Sequence, residues 1–140
     1  NVSVSSERFQ ALARMSEAGL KTGITLMPVL PFLEDNEENI LKIVRMAHEC
    51  GVMCIYPAFG MTLRQNQREY YYKKLDELFP GMSDKYRRYY GDRYECISPN
   101  ARKLWSVFAS ECDRFGILYN MRDIIRAYKQ GYGDMQLSFF

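Results

Sequence analysis

The chain has 140 residues, 47% hydrophobic and 26% charged, the balance of an ordinary globular domain. That excludes a disordered or collagen-like chain, and no apolar run approaches the ~18 residues that a membrane span needs. Nineteen basic residues against 17 acidic ones give a net charge of +2, too even to make nucleic-acid binding the default.

Ser5 or Ser6 is placed to cap a first helix with Phe9, Leu12, Met15 and Ala18 on one side, ended by Gly19. Residues 22–30 are short and continuously apolar, as a strand buried on both faces reads. Pro28 and Pro31 cannot donate ladder bonds, so the regular strand should stop near Met27 and open into a loop, Pro31 to Asn36. Asp35 with Glu38 three residues on forms a capping-box pattern. The helix behind it carries Ile40, Ile43, Val44 and Ala47 at i, i+3, i+4 and i+7 and stops at Gly51. Val52 to Tyr56 reads as a second buried strand, closed by Pro57 and Gly60. Helix, strand, helix and strand with short links predict βαβ packing on a parallel sheet with a right-handed crossover.

Beyond Gly60 the pattern predicts helices and polar loops only. A helix from about Leu63 to Phe79 should bury Tyr71, Leu75 and Leu78. Pro80-Gly81 breaks it, and a short helix follows from Asp84 to Tyr90. After a loop, Gly91 to Pro99, a helix over 100–115 sets Leu104, Phe108, Cys112 and Phe115 on one face. A last helix spans about Asn120 to Gln130, and the aperiodic tail 131–140 is expected to fray. Residues 1–60 hold 5 basic and 7 acidic residues, net −2, and residues 61–140 hold 14 and 10, net +4. Most of the 11 tyrosines lie in this second, basic stretch.

The cysteines are Cys50, Cys54, Cys96 and Cys112. With no secretion signal in view, reduced thiols in a cytoplasmic protein are the expectation. Cys50 and Cys54 have the CxxxC spacing that opens a CxxxCxxC iron–sulfur motif, but the third position is Pro57. They read instead as small buried hydrophobes. With one His, His48, near a helix end, no metal site is expected.

Three other groups carry chemistry. The strand ends, Met27 to Phe32 and Tyr56 to Gly60, are apolar and stiffened by proline. Ligands of parallel α/β folds sit at such carboxyl ends, and this wall suits a flat aromatic ring such as adenine. Equally, the prolines serve simply to end the strands. Arg64 and Arg68, four apart around Asn66, are spaced to share a helix face and clamp a carboxylate or phosphate. A solvated helix start explains them as well. From Tyr89 to Asn100, aromatic and basic residues interleave, as on single-strand-binding surfaces or in a tyrosine-packed helical cap. Cys96 falls in this loop, away from any apolar periodicity, and is the thiol expected to be reactive.

Several segments together resemble a known family. They are Glu7-Arg-Phe9, Ser16-Glu-Ala-Gly19, Thr22-Gly-Ile24, Met27-Pro-Val-Leu-Pro-Phe32, Glu37-Glu-Asn-Ile40 and Ile55-Tyr-Pro-Ala-Phe-Gly-Met-Thr-Leu-Arg-Gln-Asn-Gln-Arg68. Phe79-Pro-Gly81, Tyr94-Glu-Cys-Ile-Ser-Pro-Asn100 and Met121-Arg-Asp-Ile-Ile125 complete the set. The pattern resembles the later strands of radical S-adenosylmethionine enzymes, in the group related to spore photoproduct lyase and called DNA repair photolyase-like.

The resemblance implies an α/β fragment of a partial (β/α)6 barrel over residues 1–60, followed by an all-helical extension over 61–140. It implies a parent that uses a 4Fe-4S cluster to cleave S-adenosylmethionine to a 5′-deoxyadenosyl radical. Pro28, Leu30, Tyr56, Pro57 and Phe59 would contact the adenosine of S-adenosylmethionine. The cluster cysteines and the first four strands have no counterpart in this sequence, so the chain by itself is expected to hold no cluster and to be inactive. Six βα units of roughly 30 residues need about 180, which fits a chain that starts at Asn1 without Met as a piece of a longer one. Its partner would be the missing N-terminal part of the same barrel, with a homodimer expected in isolation and no membrane association. The competing class is a non-enzymatic α/β module that grips nucleic acid or protein through the basic, tyrosine-rich half.

Overall fold

In the computed structural model, which describes residues 4–130, the first element is helix α1 (Ser5–Glu17). Val4 occupies its N-cap and makes no side-chain cap bond, so neither Ser5 nor Ser6 caps it. Strand β1 (Gly23–Leu26) leads through a proline-rich loop to α2 (Glu37–Glu49). Asn36, not Asp35, caps α2, accepting a bond from the Asn39 N–H. Strand β2 (Cys54–Pro57) returns parallel to β1 and pairs Gly23 with Cys54 through Leu26 with Pro57. The βαβ expectation therefore holds, with both strands shorter than expected.

The strand pair is covered on one face. Ile24, Leu26 and the buried Ile55 join Val29, Ile40, Val44, Ala47, Leu104 and Phe108 in an apolar core. Side chains alternate along a strand, and the register partners Thr25 and Tyr56 on the other face are exposed. At Gly23 a Cβ would fall 2.7 Å from the Cys54 Sγ, so a larger residue there would force the Cys54 side chain to move.

The second half is not all-helical. Strand β3 (Gly60–Thr62) opens it, followed by α3 (Gln65–Leu78), α4 (Met82–Tyr90) and β4 (Glu95–Ile97). Strands β3 and β4 pair antiparallel, Thr62 opposite Glu95 and Gly60 opposite Ile97. Gly60 has φ 154°, and a Cβ there would lie 2.7 Å from the Cys96 carbonyl oxygen. The chain then forms α5 (Ala101–Phe115) and α6 (Met121–Lys129). Between them Leu118 bridges in parallel to Cys54, donating to the Met53 carbonyl at 3.0 Å and accepting from the Ile55 N–H at 2.8 Å. A third parallel position thus borders β2, while β1 keeps a free edge among the described residues.

Packing follows an excursion rather than a simple division at residue 60. Leu63, Tyr72, Leu75, Tyr86, Tyr90 and Cys96 make a second core. Helix α5 then returns to the first core, packing Leu104, Phe108 and Cys112 with α2. In α3 the inward stripe is Arg68, Tyr72 and Leu75, and Leu78 is 75% exposed rather than buried. The tail 131–140 lies outside the described residues.

Candidate functional site

The carboxyl ends of β1 and β2 open onto a groove of about 790 Å³, within the size range of small-molecule pockets. Three walls form it. The strand ends give Met27, Pro28, Pro57, Ala58 and Phe59. The β3–β4 ribbon gives its outward face, with Thr62, Glu95 and Ile97, because Cys96 between them points inward and is fully buried. Helix α5 gives Ala101, Arg102 and Trp105. The lining is largely apolar, with Thr62, Glu95 and Arg102 as its side-chain polar groups.

Of the residues expected at a ligand wall, Pro28, Pro57 and Phe59 meet here. Leu30 and Tyr56 do not. The Leu30 carbonyl closes a turn by accepting from the N–H of Leu33 at 3.3 Å and of Glu34 at 3.0 Å. Tyr56 is 41% exposed on the open face of the sheet. The ribbon and α5 walls had no sequence signal as pocket residues. Three-residue strands are too short to show a period of two, and a lone Trp on a helix reads as ordinary packing.

Arg64, Asn66 and Arg68 form no anion clamp. Arg64 is the exposed N-cap of α3, and Asn66 lies exposed in its first turn. Arg68 is buried and committed to backbone: its guanidinium donates to the carbonyls of Gly91, Leu63 (3.3 Å) and Arg93 (2.8 Å), with Asp92 at 3.7 Å. It fastens the α4–β4 turn to the start of α3, which explains a cation four residues into a helix.

Cys96 is corrected in the same way. It belongs to β4 and is fully shielded in the second core. Burial raises its thiol pKa, and the nearby Arg68 offsets this only in part. Cys112 is likewise buried, its thiol pushed up to about 12 by burial with Asp113 and Glu111 adding to it. The half-buried Cys50 and Cys54 are the more accessible pair, though burial raises both. Among the described residues no three His, Cys, Asp or Glu side chains stand together to hold a metal ion. The thiols present do not fit an iron–sulfur cluster, since Cys96 and Cys112 lie in different cores. His48 stacks on Phe115 with ring centroids 4.2 Å apart, a surface role at the end of α2.

The interleaved stretch from Tyr89 to Asn100 builds a separate groove of about 740 Å³. Tyr89 and Tyr94 are each 51% exposed beside Arg93 and Ile97, while Tyr90 is buried and donates to the Ile97 carbonyl at 2.6 Å. Behind it Asp35 is buried and accepts from the Ser98 hydroxyl at 2.5 Å, and Ser98 accepts from the Asn100 N–H at 3.0 Å. This network ties the loop after β1 to the loop after β4, so the two rims of the main groove are fixed to each other.

No helix among the described residues is long and apolar enough to cross a membrane. No family model, curated protein or solved structure matches this chain.

Proposed function

We propose that the main groove binds the adenosine part of S-adenosylmethionine, and that the chain is the later part of a radical S-adenosylmethionine enzyme's barrel. The observation that carries this is the position and chemistry of the groove. It lies at the carboxyl ends of two parallel strands, where such folds hold ligands, and Pro28, Pro57 and Phe59 give it a stiff apolar wall. The one-sided sheet supports the same reading. A barrel's inner face looks like the open face carrying Thr25 and Tyr56, and a further strand would pair with the free edge of β1. When bound, S-adenosylmethionine supplies a radical precursor. This chain's residues position its ring and shield it from water.

The test is calorimetric titration of S-adenosylmethionine into the protein and into Phe59→Ala and Met27→Gln variants. Weaker binding by both supports the reading, and unchanged affinity sinks it. A stoichiometric cluster on the 140-residue chain alone would refute the division of labour. The unpaired β1 edge is also expected to drive self-association of the isolated chain, read by sedimentation across a concentration series.

The second reading is a nucleic-acid-binding module. The exposed Tyr89, Tyr94 and Arg93 favour it, since rings beside a cation stack bases and hold phosphate. Binding of single-stranded oligonucleotide that weakens steeply with salt would support it, and no binding at low salt would end it.

A further inference from the structure

Helix α6 buries none of its residues, yet it is the most sharply two-sided of the helices described. Met121, Ile125 and Tyr128 stand at i, i+4 and i+7 and share one face. They are 45%, 36% and 47% exposed. Arg122, Arg126 and Lys129 repeat that spacing one residue further on, so a basic stripe runs beside the apolar one, and it is exposed too. Asp123, Ile124 and Ala127 are half-buried, so a third side of the helix faces the body of the protein.

The apolar stripe is not what holds α6 in place. A helix of nine residues is marginal in water by itself, and here both ends are fastened. The Asn120 side chain accepts from the Arg122 N–H at 2.9 Å. At the other end the Lys21 ammonium donates to the carbonyls of Ala127 at 2.7 Å and Gln130 at 3.0 Å. The fold thus presents a formed helix whose apolar stripe has no partner among the described residues.

The charges beside the stripe select what covers it. Asp123 is the one acid of α6 and pairs with Arg126 at 3.5 Å, while Arg122 and Lys129 have no ion pair among the described residues. Two copies packed stripe to stripe would set these cations against one another. Nucleic acid would meet the cations and leave the apolar stripe wet. An anionic bilayer surface meets both, taking apolar side chains at the acyl boundary, a tyrosine ring at headgroup level and cations on its phosphates.

We propose that α6 lies in the plane of an anionic lipid surface, with Met121, Ile125 and Tyr128 at the headgroup boundary and Arg122, Arg126 and Lys129 on lipid phosphates. The contact is peripheral and needs no membrane-spanning helix, so it replaces the expectation of no membrane association without requiring one. It is independent of the adenosine reading, because no residue of α6 lines the main groove.

The 140-residue chain is sedimented with vesicles of phosphatidylcholine alone and of phosphatidylcholine with phosphatidylglycerol. Binding should require the anionic lipid and weaken with added salt. Arg122→Gln combined with Lys129→Gln should weaken it about twentyfold, since each cation near such a surface contributes about fivefold. Ile125→Gln should weaken it about tenfold through the lost apolar share. These positions are exposed, so the fold should survive, and circular dichroism checks that it does. Tyr128→Trp puts a reporter on the stripe, and its emission should shift to the blue on anionic vesicles. The parent, whose one tryptophan is Trp105 on the groove wall, should show no such shift. Absence of binding to the anionic vesicles overturns the proposal. So does full-strength binding by the Arg122, Lys129 and Ile125 variants, or an unshifted Tyr128→Trp emission. Self-association that Ile125→Gln abolishes and anionic vesicles do not compete would give the stripe to a second copy instead.

Discussion

Around the parallel strands the core is aliphatic: Ile40, Val44, Ala47 and Ile55 are fully buried and need no polar partner. In the excursion between β3 and β4 the same work falls to tyrosines. Tyr86 is fully buried and donates to the Pro31 carbonyl at 2.7 Å, and Tyr90 donates to Ile97. Phe32, at φ 66°, reaches across from the loop after β1 to pack on Tyr86, Tyr89 and Tyr90, with the Lys85 ammonium 4.3 Å from its ring. The first core rests on shape, whereas the second rests on shape plus a set of hydrogen bonds that must all be made. Tyrosine buries as much area as a large aliphatic but brings a hydroxyl that costs energy if left alone. The second core is therefore the more specific and the easier to break by a change of one polar atom.

The largest effect should come from the first core. Phe108→Ala removes a fully buried ring shared by α5, Phe59 and Tyr119, and should cost about 3–5 kcal/mol in urea unfolding. A loss below about 1 kcal/mol would mean that the first core collapses onto the gap and is looser than its burial suggests.

Arg68→Met tests the polar side. It keeps the stem and removes the guanidinium, leaving the carbonyls of Leu63, Gly91 and Arg93 without that donor. The expected cost is about 3 kcal/mol, with Arg68→Lys recovering only part, because one ammonium cannot reproduce the planar fork. If Arg68→Met is neutral, the second core does not depend on its polar bonds and the contrast between the two regions disappears.

This arginine also marks where the sequence stopped being readable. Residues 71, 75 and 78 and residues 68, 72 and 75 have the same helical spacing, and the apolar count favours the first set. The structure uses the second because Arg68 turns inward, which shifts the buried stripe of α3 by three residues towards its N-terminus. Stripes of aliphatics carried no such ambiguity. The inward faces of α2 and α5 follow the periodicity. The two parallel strands form where the apolar runs lie, but they are covered on one face and not on both as expected, since Thr25 and Tyr56 are exposed. The missed elements are those without a local signal: three-residue ribbon strands, one bridging residue at Leu118, and the return of α5 to α2 across the excursion. Asp35 failed as a cap for a related reason. Its carboxylate is taken by Ser98, 63 residues away, and the neighbouring Asn36 caps instead.

Alkaline pH should weaken both regions through different groups. Cys112 in the first core is pushed up to about 12, while burial raises Tyr86 and Tyr90 in the second. Each group is neutral in the fold and ionises more readily once unfolded, near pH 8.5 for a thiol and about 10 for tyrosine. Their stabilisation is thus complete below those values and is lost as pH rises towards the folded-state pKa. Urea stability should fall steadily between about pH 9 and 11. Cys112→Val should flatten only the thiol share, so a slope unchanged by that variant would assign the loss to the tyrosine core alone.

The smallest effect is the sharpest test of the comparison. The Tyr72 hydroxyl is buried with no hydrogen-bond partner, the one such side-chain atom among the described residues. Arg68 lies close enough to favour the ionised phenol electrostatically, and three of its five N–H groups are given to backbone carbonyls. The Arg87 guanidinium sits over the Tyr72 ring, 4.5 Å from its centre, and not at its oxygen. Tyr72→Phe should therefore leave stability unchanged or raise it by up to about 1 kcal/mol. Tyr86→Phe, which strips a donor from the Pro31 carbonyl, should cost about 1–2 kcal/mol. The two substitutions delete the same atom from neighbouring buried rings, so their difference isolates the hydrogen bonds of the Tyr86 hydroxyl, given to the Pro31 carbonyl and accepted from the Tyr71 hydroxyl at 3.4 Å. If Tyr72→Phe costs as much as Tyr86→Phe, the hydroxyls act through packing alone, and the second core differs from the first in composition but not in kind.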